Sequence, residues 1–395
     1  MIEYKRALVA EIGKALRARL PFLHVIIGPR QVGKTTAAHQ ISKSWGGETV
    51  FAAADAPLPP GPDWIHAQWE IALSKCAGGR KVLLVIDEVQ KVRGWSETIK
   101  LLWDRERREK NGISVILLGS SSLLVQKGMS ESLAGRFLFY RCGHWSCPEM
   151  KQAFGWGLEE WLYFGGYPGA AALKDDEAAW RRYITDSLID TVLFRDVLQL
   201  ATVAKPALLR HLFGLAVSHP AQILSYNKML GRLQDAGNTT TLAHYLHLLE
   251  TAFLVSGLDL YKAGRGRKRA GSPKLTFWNN ALVTAYLGES YEKTRQDRAW
   301  RGRLVENAVG GHLLNGLDRA THQVYYWRDG DQEADYVLKT PRNLWALEVK
   351  SGAGAAPRGL EAFCKRYPGA RPFIVGAGGM GLEEFFHSEP ATLFP

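Results

Sequence analysis

A chain of 395 residues exceeds what one domain usually holds, so two or three domains with ample buried cores are expected. Hydrophobic residues at 46% and charged residues at 23% are ordinary globular values and exclude a disordered, collagen-like or low-complexity protein. Lys and Arg outnumber Asp and Glu by 50 to 39, and the formal charge of +11 points to a polyanionic partner, nucleic acid first. The scattered Cys76, Cys142, Cys147 and Cys364 do not form a disulfide framework, which fits a cytoplasmic protein. Cys142, His144 and Cys147 offer three zinc ligands without a fourth and are discounted. The mixed charges of the first 14 residues exclude a signal peptide, and no run of about 20 apolar residues points to a membrane.

In chain order, Leu8, Ile12 and Leu16 recur at helical spacing, followed by the apolar run from His24 to Ile27. Further strand-like runs are Thr49 to Ala53, Val82 to Ile86 and Ser114 to Leu118. Helix-compatible stretches around Trp64 to Cys76 and Trp95 to Glu109 lie between them. Wholly apolar strands alternating with helices predict a parallel sheet covered on both faces. From about Trp161 the chain turns helical and aromatic, with a turn at Phe164 to Gly169. Between Leu224 and Leu260 a helix, a turn at Asp235 to Asn238, a helix from Thr239 and a strand at Phe253 to Val255 suggest a winged helix. The Gly-, Lys- and Arg-rich stretch from Tyr261 to Pro273 follows as its loop. Beyond it come a strand at Leu275 to Trp278, a helix at Leu304 to Leu314, and strands at Val324 to Trp327, Ala334 to Leu338 and Leu344 to Val349. The tryptophans, Trp161 and Trp180 among them, sit in apolar helical patterns and are expected in cores.

Gly28, Pro29, Arg30, Gln31, Val32, Gly33, Lys34 and Thr35 spell G-x-x-x-x-G-K-T between a strand and a helix, with Thr36 continuing into the helix. The glycines let backbone N–H groups curl around phosphates, Lys34 bridges phosphate oxygens and Thr35 offers a hydroxyl to Mg²⁺. The strand ending in Asp87 and Glu88 supplies a group for the Mg²⁺ water shell, Asp87, and a base for the attacking water, Glu88. ATP and Mg²⁺ are the expected cofactors. Ser120 at the next strand tip is placed to sense the γ-phosphate, and Arg136 is a candidate arginine finger for a neighbouring subunit.

The segments GPRQVGKTT, LLVIDEVQ, LLGSSS, ESLAGR, FGGYP and FRD resemble those of AAA-type ATPases of bacteria and archaea whose C-terminal region is a domain of unknown function. The resemblance implies an α/β fold with a P-loop ATPase core at residues 1–150, a helical lid at 151–204, a winged-helix segment at 205–273 and a terminal domain at 274–395 similar to PD-(D/E)XK nucleases. Asn279-Asn280 stands where such proteins often carry an Asp, a departure from the family pattern. The nuclease pattern falls on Glu306, Asp335 and Glu348 with Lys350, with Glu333 a spare ligand, a set suited to Mg²⁺ and a scissile phosphate. Acids in hairpins also form plain cross-strand ion pairs. In the basic loop, Lys262, Arg265, Arg267, Lys268 and Arg269 are expected to follow DNA phosphates. The expected function is an Mg²⁺-dependent ATPase, a homo-oligomer up to a hexamer, that remodels or translocates on duplex or branched DNA, with structure-dependent cleavage as an added activity. The alternative is a nucleotide-gated switch or scaffold for a protein partner, with a silent nuclease-like domain.

Overall fold

The computed structural model describes residues 4–18, 20–55, 60–119, 132–200, 203–234, 237–264, 271–352 and 358–395. Contacts divide the chain into two compact units, Met1–Gly143 and His144–Pro395, so the last three stretches expected from sequence fall together in the second unit.

In the first unit, five strands pair in parallel, the central ones apolar and covered on both faces. They are β1 (Leu23–Ile27), β2 (Glu48–Ala53), β3 (Val82–Asp87), β4 (Ile113–Gly119) and β5 (Phe137–Arg141), in the order β2-β3-β4-β1-β5. All residues of β1 and β3 are buried. Helices α1 (Ala7–Arg17), α2 (Lys34–Lys43), α3 (Pro62–Lys75) and α4 (Trp95–Glu109) connect or cover them. Helix α1 buries Val9, Ile12 and Leu16, the stripe its spacing predicts. Strand β5 is an addition to the sequence reading. It extends the sheet beside β1, half exposed as an edge strand should be. With β4 between β1 and β3, the carboxyl ends of all three open toward one side, where open α/β sheets bind ligands.

The second unit begins with helices Cys147–Phe154 and Leu158–Phe164, then Glu177–Arg182 running into π-type turns over Tyr183–Asp190 and Val192–Asp196. The FGGYP glycines are demanded by packing: a Cβ on Gly165 would lie 2.0 Å from Asn279 Oδ1, and one on Gly166 would lie 2.0 Å from the Trp145 carbonyl. Helix Pro206–Val217 is followed by β6 (Gln222–Ile223), helices Tyr226–Leu230 and Thr239–Thr251, β7 (Val255–Leu258) and β8 (Lys274–Phe277). The three strands form an antiparallel sheet in the order β6-β8-β7. Strand β7 starts at Val255 rather than Phe253, because Phe253 takes a left-handed φ of 59° just beyond the helix end.

The C-terminal part opens with the helix Arg298–Gly316, longer than expected, and a sheet of β9 (Gln323–Asp329), β10 (Gln332–Lys339), β11 (Leu344–Lys350) and β12 (Arg371–Gly376). Neighbours run in the order β12-β11-β10-β9, antiparallel except for the parallel pair β11–β12, which the helix Arg358–Arg366 connects. A bulge in β10 between Ala334 and Val337 places one extra residue beside Asp335. Buried amides tie helix Arg298–Gly316 to β8: Asn307 Oδ1 accepts the Phe277 N–H at 2.8 Å, and its Nδ2 donates to Asn280 Oδ1 at 2.8 Å. Trp180 and Trp69 are fully buried, as core tryptophans should be.

Candidate functional site

The turn between β1 and α2 is shaped by backbone sterics. Gly28 has no room for a side chain, since a Cβ there would stand 1.9 Å from the Cys142 carbonyl oxygen beyond β5. Gln31 (φ 60°) and Gly33 (φ 89°) both adopt the left-handed region, which curls residues 28–34 into a concave loop. A non-glycine residue held left-handed is stored strain of the kind found at ligand-binding loops. From behind, Arg6 Nη1 donates to the Gly143 carbonyl at 2.9 Å and to Cys142 Sγ at 3.1 Å, bracing the segment on which Gly28 rests.

Lys34, the first residue of α2, is buried and donates to the carbonyls of Gly28 at 3.0 Å and Pro29 at 2.7 Å. Its ammonium thus lies under the loop it belongs to. Burial lowers its pKa from the ordinary lysine value, with Glu88 and Asp87 among the groups opposing that shift. Thr35 Oγ1 donates to Asp87 Oδ2 at 2.8 Å, bringing the hydroxyl after β1 and the carboxylate after β3 onto one point. Asp87 Oδ1 accepts the Glu88 N–H at 2.9 Å, and Glu88 takes a left-handed φ of 53° that turns it off the strand. Gln90 Nε2 donates to Glu88 Oε2 and orients that carboxylate. Asp87, Glu88, Lys34 and Thr35 are therefore brought together as the sequence predicts. Ser120 lies outside the described residues. Arg136 makes a two-pronged ion pair with Asp104 of α4, Nε to Oδ1 at 2.8 Å and Nη2 to Oδ2 at 3.1 Å, so it has a partner within its own chain.

In the second unit, one oxygen each from Glu306, Glu333 and Asp335 lie within 4.8 Å of one another. The expected set was Glu306, Asp335 and Glu348. Instead Glu333, the spare, joins the trio, and Glu348 Oε1 pairs with Lys350 Nζ at 2.7 Å. Glu348 Oε2 is buried with no hydrogen-bond partner among the described residues, and burial, with Asp335 adding to it, raises that carboxyl's pKa. Asp335 Oδ2 accepts the Val349 N–H at 2.7 Å. Sequence reasoning missed Lys274, whose side chain is wholly buried and whose Nζ lies 2.5 Å from Glu306, 3.2 Å from Glu333 and 3.7 Å from Asp335. Burial alone would lower its pKa, but Glu306 and Asp335 hold it well above the ordinary lysine value. The available signal is a lone charged residue heading the short strand Lys274–Phe277, whose other positions carry no charge. Of the basic loop, Lys262 is described and exposed, while Arg265, Arg267, Lys268 and Arg269 lie outside the described residues. No described helix is long and apolar enough to cross a membrane.

Residues 22–151 match a family described as an AAA domain. Residues 155–293 and 301–384 match two families described as domains of unknown function, DUF8612 and DUF4143. An uncharacterized protein of Mycobacterium tuberculosis is 29% identical over 358 residues, covering 89% of this chain and 74% of that protein. An uncharacterized protein of Methanocaldococcus jannaschii is 22% identical over 343 residues, covering 80% and 72% respectively. Among solved structures, a Walker-type ATPase of Pyrococcus abyssi matches with a TM-score of 0.52 at 13% identity, covering 72% of this chain and 96% of that one. That likeness shows the fold. The first unit carries a P-loop domain of the Walker-type ATPase kind.

Proposed function

We propose that the protein is an Mg²⁺-dependent ATP hydrolase that works on DNA. The observation that carries the ATPase reading is the hydrogen bond between Thr35 and Asp87 beside the buried Lys34. A hydroxyl and an ammonium from the start of α2 meet an acid from the end of β3 beneath a loop of inward-curling backbone, the donor set that a nucleoside triphosphate with Mg²⁺ requires. In this reading the N–H groups of residues 30–34 hold the β- and γ-phosphates, and Lys34 exchanges the carbonyls of Gly28 and Pro29 for phosphate oxygens. Thr35 and the water shell of Asp87 hold Mg²⁺, which when bound neutralises charge on the phosphates. Glu88, oriented by Gln90, takes a proton from the attacking water. Arg136 would leave Asp104 to reach a nucleotide on a neighbouring copy in a homo-oligomer, and Ser120 would face the γ-phosphate.

Support for DNA comes from the net charge of +11 and from the second unit's helix–strand–helix–helix–strand–strand order with β8 between β6 and β7. We read that order as a winged helix, in which the basic stretch between β7 and β8 would serve as the wing. The exposed positions of helix Thr239–Thr251 include Thr240, His244 and His247 and no Lys or Arg. The wing, with Lys262, Arg265, Arg267, Lys268 and Arg269, would therefore supply the phosphate contacts.

The test is ATP turnover with and without duplex, single-stranded and junction DNA at about 50 and 200 mM salt, beside Glu88→Gln and Lys34→Met. The reading expects a DNA-stimulated rate whose stimulation fades with salt, loss of turnover with retained nucleotide binding in Glu88→Gln, and loss of both in Lys34→Met. Turnover without any DNA binding at low salt would remove the DNA part. A second reading, a nucleotide-gated scaffold with a silent terminal domain, is favoured by the ammonium of Lys274 among the terminal carboxylates.

A further inference from the structure

We propose that the terminal carboxylate cluster is built around the ammonium of Lys274 and that the native protein therefore takes no divalent cation there. The inference deepens the scaffold reading but rests on the second unit alone, independent of the ATPase. Three carboxylates within 4.8 Å of one another would ordinarily suit a small hard cation. Here Nζ already stands 2.5, 3.2 and 3.7 Å from their oxygens. Magnesium sits about 2.0–2.1 Å from its oxygen ligands. It would have to occupy the same volume as the ammonium, facing a like charge at contact distance.

Lys274 is held from several sides. Its side chain is wholly buried, with Nζ 5.0 Å from the centre of the Tyr336 ring, and Tyr336 is itself anchored by donating to the Glu306 carbonyl at 2.8 Å. Its backbone lies in the middle strand β8, paired with Ile223 on one side and Leu258 on the other. Withdrawing the side chain by sliding the strand would break both ladders. The lysine that the nuclease pattern would aim at a phosphate, Lys350, is turned onto Glu348 at 2.7 Å. Two lysines thus stand paired with the acids that a metal would need, and one of them belongs to another sheet.

The experiment titrates Mn²⁺ into the full chain without nucleotide, following free Mn²⁺ by electron paramagnetic resonance. Wild type and Asp335→Asn are expected to give the same titration, because wild type holds no ion at Asp335. Lys274→Met is expected to gain one Mn²⁺ per chain, bound at least about tenfold tighter than any ion in wild type, and to lose it again when Asp335→Asn is added. A wild-type Mn²⁺ site abolished by Asp335→Asn overturns the proposal, as does a folded Lys274→Met that binds no additional ion. Should Lys274→Met not fold, the comparison of wild type with Asp335→Asn decides alone. Comparing two chains with identical first units keeps the P-loop out of the result, so this outcome and that of the turnover assay are separable.

Discussion

Gly28→Ala tests whether the P-loop is held in shape from behind. The added Cβ would stand 1.9 Å from the Cys142 carbonyl oxygen and 2.8 Å from its carbon, both backbone atoms. An ordinary contact starts at 3.4 Å, so loop and strand end must separate by about 1.5 Å. The Cys142 N–H bonds the Ile27 carbonyl at 2.7 Å, and a movement of that size breaks it. Overpacking costs about 1–3 kcal/mol and the lost hydrogen bond about 1 kcal/mol, giving a total of about 2–4 kcal/mol. Urea denaturation of the full chain, reading the transition of the first unit, measures it. Titration of the same protein with a nonhydrolysable nucleotide should show affinity lower by at least about tenfold, because the displaced loop is the one proposed to bind phosphate. A variant within about 0.5 kcal/mol of wild type and unchanged in nucleotide affinity would refute the reasoning.

His24 and His312 are buried, and burial lowers each pKa to about 4. The folded value lies below the unfolded one of about 6.5, so between these limits the unfolded chain binds more protons and stability falls as pH falls. At pH 5 each histidine should cost about 2 kcal/mol relative to pH 7.5. Urea midpoints at the two pH values should show this fall in wild type and a smaller one in His24→Gln; equal slopes would contradict the assignment. Asn307→Leu should destabilise the second unit by about 3 kcal/mol, because it leaves the Phe277 N–H and Asn280 Oδ1 buried and unpaired. A change below about 0.5 kcal/mol in urea denaturation would show that the amide network is not stabilising.

What could be read from sequence was what lies close together along the chain. The loop from Gly28 to Thr35 and the pair Asp87-Glu88 are local patterns tied to a strand end, and their convergence follows once parallel strands are assumed. The apolar runs of β1, β3 and β4 fixed their places because both faces are buried. Strand β5 is not legible in the sequence, because its half-exposed pattern lacks the continuous apolar run of β1, β3 and β4. The FGGYP segment stood out as a turn, but its glycines answer to Asn279 and Trp145, contacts that no local pattern reveals. Lys274 was invisible for the same reason. Its meaning comes from acids on a helix and a strand that follow much later, and from a bulge in β10 that no alternation rule foretells. The basic stretch from Lys262 to Arg269 is legible as charge alone, since a run of Lys, Arg and Gly specifies a polycation without fixing its geometry.

The account depends first on residues 28–35 being a triphosphate cradle. Calorimetric titration of the full chain with a nonhydrolysable ATP analogue and Mg²⁺ tests that directly, beside Lys34→Met. The account predicts one nucleotide per chain in wild type and an affinity weaker by at least about 100-fold in Lys34→Met, the loss of a charge-assisted contact to phosphate. Absence of heat in wild type, or equal affinity in both proteins, would contradict it.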